Sequence, residues 1–260
     1  MNKIVLLFCV TLLVTACSQS DTKDWKLIWS DDFSVDGVPD ETKWSFSGRR
    51  SPNWACYCTD QPQNAEVIDG VLHLRGIRTE NDADTVEYQT GCIQTKGKFS
   101  FQYGKLEVRA KLDQGQGSWP AIWLMPEKSV YGGWPKSGEI DVMEQLNFDT
   151  IFYQTIHTDY VDIQQQKNNP KHHATASLKK GEFNIFGLEW YPDRLDFLIN
   201  GVKTFTYPKV EGLGSSQWPF DQEFYLILNQ ALGGSWPGPV NPEDLPVEMQ
   251  VDWVKVYQLN

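Results

Sequence analysis

Three carboxylates lie within six residues of the segment SGEIDVMEQL, at Glu139, Asp141 and Glu144. In a regular strand alternate side chains share one face, so Glu139 and Asp141 would point one way and Glu144 the other. The adjacent apolar residues Val142 and Met143 interrupt that alternation. A β-bulge at this pair would insert one residue and return Glu144 to the face of the other two acids. The sequence therefore predicts three carboxylates in one row.

A row of this kind suits glycoside hydrolysis, in which two carboxyl groups flank the scissile bond. Glu139 and Glu144 would stand roughly four strand steps apart, on the order of 13 Å between Cα atoms, and their side chains can lean together. Carboxyl groups about 5–5.5 Å apart suit a retaining enzyme, whereas inverting enzymes need about 6.5–9.5 Å. Retention is therefore the geometric expectation. The alternative is an acidic strand that faces water.

The chemistry assigns a different role to each acid. One Glu must be ionised to attack the anomeric carbon. The other must hold a proton for the leaving oxygen, and the neighbouring anion raises its pKa. Asp141, between them, could share a hydrogen bond with the nucleophile and fix its orientation.

The segments that must position these acids have the alternating pattern of short strands separated by Gly, Pro and Asn. Asn200-Gly201 suits a type I′ turn between two such arms. Helical periodicity is nearly absent, apart from a short turn near 241–246. We expect strands within 70–77, 103–112, 194–207, 223–232 and 247–259. This density of strands predicts an all-β fold, a sandwich of two curved antiparallel sheets with a concave substrate cleft.

Tryptophan is unusually frequent, with eleven residues in the chain. Four of them stand in Gly/Pro-rich segments that we predict to be loops: Trp119, Trp123, Trp134 and Trp236. A flat aromatic ring can stack on the C–H face of a sugar. We expect at least two of the four to contact substrate.

The chain has 34 acidic and 23 basic residues, a net charge of −11. This balance argues against nucleic acid or an anionic membrane face as a partner, but a neutral polymer would not be repelled. Cys92 could pair with either Cys56 or Cys58 in an oxidising compartment, which would leave one odd thiol. The pair of cysteines in "CYC" is a poor zinc signal.

The first residues have the layout of a secretory signal: one lysine, an apolar run from Ile4 to Val14, and small residues before Cys17. The cleavage region resembles a bacterial lipobox, which implies lipid attachment at Cys17 and a membrane anchor. The alternative is an ordinary signal peptide. We expect a signal at 1–16, an acylated tether at 17–24 and one catalytic domain at 25–260. The expected location is the outer membrane of the cell envelope, on either face.

The segment WPKSGEIDVMEQ resembles glycoside hydrolase family 16, whose signature is Glu-x-Asp-x-(x)-Glu, and in particular its laminarinase-like branch. Further segments in the same order are similar to other family strands: 27–33, 103–126, 186–202, 226–238 and 251–258. The resemblance implies a β-jelly-roll, endo-acting retaining hydrolysis, Glu139 as nucleophile, Asp141 as its assistant and Glu144 as acid/base.

The resemblance also implies residues around this centre. Those that it places at the substrate are Trp119, Trp123, Trp134, His157, Arg109 and Asn64. We also expect substrate contact from Trp236, one of the four tryptophans above, and from Gln230, where the family usually has an apolar residue. No cofactor is needed for the chemistry, but many members hold a structural calcium. Its expected ligands here are Asp252, Asp32 and Gly70.

The chain departs from the usual laminarinase pattern at Gln145-Leu146-Asn147, at Gln230 and in the long polar loop 159–173. These departures leave two substrates open: a β-glucan, or the β-galactoside bonds of poly-N-acetyllactosamine in mucin-type O-glycans. We expect a monomer acting on an oligosaccharide or polysaccharide. The competing hypothesis is a non-catalytic glycan-binding lipoprotein of the same fold, which would not require the three acids.

Overall fold

The computed structural model describes residues 24–50, 53–79 and 86–260, and most regular elements there are strands. In chain order they are β1 Trp25–Asp31, β2 Ser45–Phe46, β3 Cys58–Thr59, β4 Ala65–Ile68, β5 Val71–Arg78, β6 Tyr88–Gln94, β7 Gly104–Leu112, β8 Ser118–Pro126, β9 Glu139–Glu144, β10 Ile151–His157, β11 His173–Ser177, β12 Asn184–Trp190, β13 Arg194–Ile199, β14 Val202–Pro208, β15 Phe224–Leu232 and β16 Val247–Leu259.

Short helical turns interrupt the strands. Four are 3₁₀ turns, at Asn53–Ala55, Pro62–Asn64, Gly214–Ser216 and Pro242–Asp244, and one is a π-helical turn at Asp159–Ile163. Across the described part of the chain, no helix has the length and apolar character that a membrane crossing requires.

The strands form a β-jelly-roll sandwich, which confirms the predicted fold class. Hydrogen bonding runs continuously in the order β11-β10-β9-β8-β15-β6-β5-β16-β7-β12-β13-β14. The inner sheet extends from β11 to β6 and contains the acidic strand β9. The outer sheet extends from β5 to β14, and the pairing of β5 with β6 joins the two. All of these pairings along the main path are antiparallel.

The main core fills the space between the sheets. It is aromatic as well as aliphatic: Trp190, Phe186 and Phe152 are fully buried, and Phe152 meets Phe186 edge to face. Ile140, on the acidic strand, packs into the same cluster. Burying this apolar surface is what holds the two sheets together and fixes which face of β9 points away from the core.

The alternation in the sequence located the outer strands well. Segment 194–207 forms the β13–β14 hairpin, and Asn200 and Gly201 have φ values of 51° and 78°. Positive φ at both central residues is the requirement of a type I′ turn, so that prediction is confirmed. The turn expected near 241–246 is the 3₁₀ turn at Pro242–Asp244.

The cysteine alternatives resolve into one disulfide. Cys58 on β3 is bonded to Cys92 on β6, and Cys56 is free. The predicted signal at 1–16, the lipidation site Cys17 and nearly all of the tether lie outside the described residues.

Candidate active site

The strand β9 is bulged where the sequence predicted. On β8, Met143 pairs with Ile122, whereas Asp141 pairs with the very next residue, Trp123. Val142 therefore has no counterpart of its own. The register with β10 shifts over the same stretch. The extra residue on β9 changes the face of everything after it, which confirms the predicted β-bulge.

The bulge separates apolar from acidic side chains. Ile140, Val142 and Met143 are fully buried in the core between the sheets. Glu139, Asp141 and Glu144 instead line one cavity on the opposite face of the inner sheet. The structure thus brings the three predicted acids together in one row.

Two tryptophans donate hydrogen bonds to the outer members of this row. Trp134 Nε1 donates to Glu139 Oε2 over 2.7 Å, and Trp119 Nε1 donates to Glu144 Oε1 over 3.0 Å. Trp134 lies on the turn before β9, whereas Trp119 is near the start of β8. Each indole N–H stabilises the ionised form of the carboxylate it contacts and fixes that side chain in place.

His157 completes the row from the neighbouring strand β10. Its Nε2 lies 3.4 Å from Asp141 Oδ2, and its Nδ1 is 3.1 Å from Asp162 Oδ1. Asp162 belongs to the π-helical turn and also accepts a hydrogen bond from the backbone N–H of Thr158. His157 is therefore held between two acids, one in the row and one behind it.

The surroundings of His157 favour its charged form. Burial alone lowers the pKa of the imidazole, but the hydrogen bond with Asp162 and the charge of Glu139 raise it to about 9. His157 is thus an imidazolium at neutral pH.

The acids of the row respond to burial and to one another. Burial raises the pKa of Glu144 to about 7, although the Trp119 hydrogen bond opposes this shift, and Glu139 adds to it. Burial and then the charges of Glu139 and Glu144 raise the pKa of Asp141 well above its usual range. Glu144 and Asp141 can therefore keep their protons near neutral pH.

Glu139 is the acid best prepared to be ionised. Burial raises its pKa, and the charge of His157 and hydrogen bonds with Trp134 and Asp141 offset part of that rise. The buried Oδ2 of Asp141 has no hydrogen-bond donor among the described residues. A protonated Asp141 can itself be the donor to Glu139, the role that the sequence assigned to it.

The row lies in a cleft of about 950 Å³ along the inner sheet. Trp119, Trp123, Trp134 and Trp236 all line it, as does His157. Trp236 is 44% exposed and meets Trp119 edge to face, with ring centroids 5.7 Å apart. The cleft therefore offers aromatic rings on more than one side of the carboxylates, as a chain of sugars requires.

Two of these tryptophans are not in loops, contrary to the prediction. Trp119 and Trp123 are on β8, where alternate residues face the cleft. The Nε1 of Trp123 donates to Asn229 Oδ1 over 2.7 Å, so the ring is fixed from the next strand, β15. Strand positions hold these rings more rigidly than loops would.

Arg109 does not reach the cleft, which corrects its expected place at the substrate. It lies on β7 of the outer sheet, opposite Trp253 of β16. Its guanidinium forms an ion pair with Asp252 and stacks over Phe183, 4.4 Å from the ring centroid. These contacts occupy the side chain on the far side of the sandwich.

Asn64 and Gln230 are also corrected, because both are fully buried. Asn64 Nδ2 donates to the carbonyl of Arg75 over 3.2 Å. Gln230 Nε2 donates to Ser118 Oγ over 2.9 Å, on the core side of β15. Its neighbour Asn229 lines the cleft, together with Tyr225 and Ile227 of the same strand. Substrate can touch neither of the two buried amides.

The expected calcium ligands meet a competing ion pair. The register places the end of β1 and the start of β5 beside Asp252, which brings Asp32 and Gly70 near it. Calcium requires about six to eight oxygen ligands. The carboxylate of Asp252 is already paired with Arg109, whose positive charge would repel a cation. The residues at this position do not fit a calcium ion while that pair is in place.

Among the described residues, one group has the spacing of metal ligands. Glu139, Asp141 and His157 each place one ligand atom within 4.8 Å of the others. These are the same atoms that the two-carboxylate chemistry uses, and that chemistry needs no metal.

Several residues of the site could not be predicted from the sequence. Asp162 lies in a segment that looked like a polar loop, and only its spacing of five residues from His157 could have suggested a local pair. Trp54 also lines the cleft and meets Trp123 edge to face, with ring centroids 4.8 Å apart. Only its position close to Cys56 and Cys58 in the sequence could have drawn attention to Trp54 as a residue of the site.

Comparisons with known proteins agree with this site. The model of glycosyl hydrolases family 16 matches residues 54–255. A keratan-sulfate endo-1,4-beta-galactosidase of Sphingobacterium multivorum is 45% identical over 239 residues, 92% of this chain and 56% of that protein. This chain thus spans little more than half the length of that relative.

Two solved structures have the same fold. The laminarinase from Rhodothermus marinus superposes with a TM-score of 0.81 at 32% identity, covering 92% of this chain and 99% of that chain. A structure from work on endo-acting O-glycanases, which members of the human gut microbiota express to initiate mucin breakdown, has a TM-score of 0.77 at 31% identity. That match covers 90% of this chain and 100% of the other.

Proposed function

The chain belongs to glycosyl hydrolase family 16, and from this membership and its acidic row we propose that it is a retaining endo-β-glycosidase. The observation on which the proposal depends is the bulge at Val142-Met143. It puts Glu139 and Glu144 on the same face of β9, in an open cleft, with Asp141 between them. A strand without the bulge would direct Glu144 into the core.

The environments of the two glutamates separate their roles. Glu139 receives hydrogen bonds and lies near the His157 cation, which favour its carboxylate form as the nucleophile. The pKa of about 7 lets Glu144 hold a proton at neutral pH, as a general acid must.

The reaction then proceeds in two displacements. Glu139 attacks the anomeric carbon while Glu144 gives its proton to the departing glycosidic oxygen, and a covalent glycosyl–Glu139 ester forms. Glu144, now ionised, takes a proton from water, whose oxygen attacks the same carbon and releases Glu139. Two inversions restore the β configuration.

Product stereochemistry tests the mechanism. Proton NMR of the first product should show the β anomer before mutarotation, and an initial α anomer would contradict retention. Glu139→Gln and Glu144→Gln should each remove nearly all hydrolysis, whereas Glu211→Gln, on an exposed loop, should leave it unchanged. Wild type as inert as Glu139→Gln on all glycans would favour a binding protein instead.

For the substrate, we propose internal β-galactoside bonds of lactosamine-type chains, as in keratan or mucin O-glycans. The 45% identity to a keratan-sulfate endo-1,4-beta-galactosidase and the match to the O-glycanase structure support this choice. A β-glucan is the second candidate, supported by the superposition on a laminarinase. Mass spectrometry of products from poly-N-acetyllactosamine, laminarin and mixed-linkage glucan would separate the two. Oligomers released only from the glucans would overturn the first choice.

We further propose that the protein is a monomeric envelope lipoprotein anchored through Cys17. The support is the apolar run and small residues that precede this cysteine. Mass spectrometry of the mature amino terminus should find diacylglycerol on Cys17, and Cys17→Ser should move the protein out of the membrane fraction. A mature chain that begins elsewhere and lacks lipid would contradict the proposal.

A further inference from the structure

Two cations line one end of the cleft, although the protein as a whole is acidic. Arg50 and Lys96, here called the distal cation pair, both contribute to the cleft wall. The chain has a net charge of −11, and the cleft also contains the three acids of the row. Positive charge at this place therefore runs against the general balance of the molecule.

The distal cation pair is not neutralised by neighbouring acids. Arg50 donates to Ser47 Oγ over 3.3 Å, and its guanidinium carbon lies 5.2 Å from the ring centroid of Trp54. The Nζ of Lys96 lies 5.2 Å from the ring centroid of Tyr225. Neither side chain forms an ion pair with any residue that the structure describes. Both charges are free to meet a ligand.

The strand order places this pair away from the acids. The backbone N–H of Ser47 bonds to the carbonyl of Cys92 on β6, and Lys96 follows the end of that strand. Three strand spacings separate β9 from β6, since β8 and β15 lie between them, or roughly 14 Å at about 4.8 Å each. That is a span of several sugar units. An anion at the acidic row would be repelled, but one at this end would be attracted.

Aromatic rings join the two ends. Trp54 lies beside Arg50 and meets Trp123, whose ring continues the cleft wall toward the acids. Trp54 is itself packed against the cluster of Ala55, Cys58 and Cys92. A sugar ring could stack on this surface while a charged substituent reaches the cations.

We propose that the distal cation pair is a subsite for an anionic substituent on the glycan, a sulfate ester or a carboxylate. The planar guanidinium of Arg50 presents two parallel donors to two oxygens of such a group, and Lys96 adds a point charge. This inference rests on the proposed glycosidase function and identifies which charged glycans its cleft accepts. It also predicts where along the chain the charge must lie: several sugars from the cleaved bond and not beside it.

The test compares one oligosaccharide in three forms: neutral, sulfated, and carrying a terminal carboxylated sugar. We expect the double variant Arg50→Gln/Lys96→Gln to lose on the order of ten- to a hundredfold in kcat/KM on an anionic form, mainly through KM. Its kcat/KM on the neutral form should fall much less, so the ratio of anionic to neutral kcat/KM should drop. Which anionic form loses more identifies sulfate or carboxylate as the ligand. Lys209→Gln, an exposed lysine outside the cleft, is the matched control.

Salt gives a second signature. Added salt should reduce the preference of wild type for the anionic form and leave the double variant nearly unaffected. Equal ratios of anionic to neutral kcat/KM in wild type and double variant would overturn the subsite, while hydrolysis of the neutral form would leave the proposed function standing.

Binding tests the subsite even if hydrolysis fails. In titration calorimetry with Glu139→Gln protein, the anionic oligosaccharide should bind more tightly than the neutral one, and the added Arg50 and Lys96 substitutions should abolish that difference. Equal affinities for the two forms would refute the subsite. Failure of wild type to cleave any form would refute only the proposed function.

Discussion

The charges of the acidic row are set by contacts that each residue makes on its own. His157 is cationic, because Asp162 and Glu139 outweigh its burial. Glu139 borders that cation, and Asp141 retains its proton between two acids. At neutral pH the row thus contains one carboxylate ready to attack and, at Glu144, one acid ready to donate. This division follows from side chains on two neighbouring strands, β9 and β10, and on the π-helical turn.

The pH profile should report Glu144 directly. The general acid must be protonated, so kcat/KM should fall as the pH rises past about 7, the pKa of Glu144. The Trp119 hydrogen bond lowers that pKa. Trp119→Phe removes the donor, so the pKa should rise and the alkaline limb should move up by about one pH unit.

The matched control for this variant is Trp236→Phe. Trp236 meets Trp119 edge to face but has no hydrogen bond to a carboxylate among the described contacts. It should leave the alkaline limb in place even if KM rises. A limb that stays fixed in Trp119→Phe, or moves to lower pH, would contradict the assignment of Glu144 as the acid.

Asp162 should control the charge of His157. Its hydrogen bond to the imidazole raises the pKa of His157, so Asp162→Asn should lower that pKa from about 9 toward the ordinary value. An NMR titration of the imidazole C–H signals measures this shift. Asp159→Asn, in the same turn, is the control, because Asp159 accepts from Gln164 and not from His157. An unchanged titration of His157 would show that Asp162 is not its main partner.

At the scale of the strand, the bulge on β9 compensates for the extra residue between Asp141 and Glu144. Deleting Val142 should remove the bulge and leave a regular strand in which Glu139, Asp141 and Glu144 occupy alternate positions. Glu144 should then stay on the cleft face, and hydrolysis should persist at a reduced level. Val142→Ala keeps the register and removes only buried methyl groups. We expect it to lower the free energy of unfolding by about 1–2 kcal/mol and to keep most of the hydrolysis.

Comparison of the two variants separates the effect of the β9 register on hydrolysis from the effect of core packing on stability. Urea denaturation gives the stability of each, and hydrolysis is measured well below both unfolding midpoints. Folded deletion protein as inactive as Glu144→Gln would mean that Glu144 does not stay on the cleft face when the bulge is removed. The account of the bulge as the feature that aligns the three acids would then be wrong.

Sequence patterns located the strands, including β15, but they showed which side chains face the core only where the other face of the strand is exposed to water. The β7 strand alternates strictly between buried and half-buried residues, so its apolar period was visible. Every residue of β15 is buried, so its sequence could not show that Asn229 faces the cleft and Gln230 the core. Gly and Pro suggested loops around Trp119 and Trp123, although both belong to a strand.

Contacts between residues that are far apart in the chain could not be predicted from the sequence either. Arg109 and Asp252 stand far apart in the chain and meet only because β7 and β16 are neighbours in the sheet. The three acids, by contrast, are local, so the doubled apolar residues between them were enough to predict both the bulge and the shared face. The sequence could therefore predict features that a single strand determines by itself, and not contacts that depend on which strands are neighbours.

At the scale of the whole molecule, a disulfide behind the cleft wall supports the end of the cleft that is far from the acids. The disulfide between Cys58 and Cys92 joins β3 to β6 and packs under Trp54, the ring between the distal cation pair and Trp123. Strands of the inner sheet support the acids, whereas this cross-link supports the far end of the cleft. Its loss should therefore affect substrate binding more than the chemical step.

Replacing both bonded cysteines tests that division. The two cysteines have a sequence separation of 34, so Cys58→Ser/Cys92→Ser should lower the free energy of unfolding by about 3–4 kcal/mol, because the unfolded chain regains its freedom. Since Trp54 loses its support, KM for a long oligosaccharide should rise while kcat changes little. Urea denaturation and steady-state kinetics measure the two effects, and Cys56→Ser is the control because Cys56 is free. A fall in kcat with unchanged KM would show that the cross-link supports the acidic row instead of the distal end.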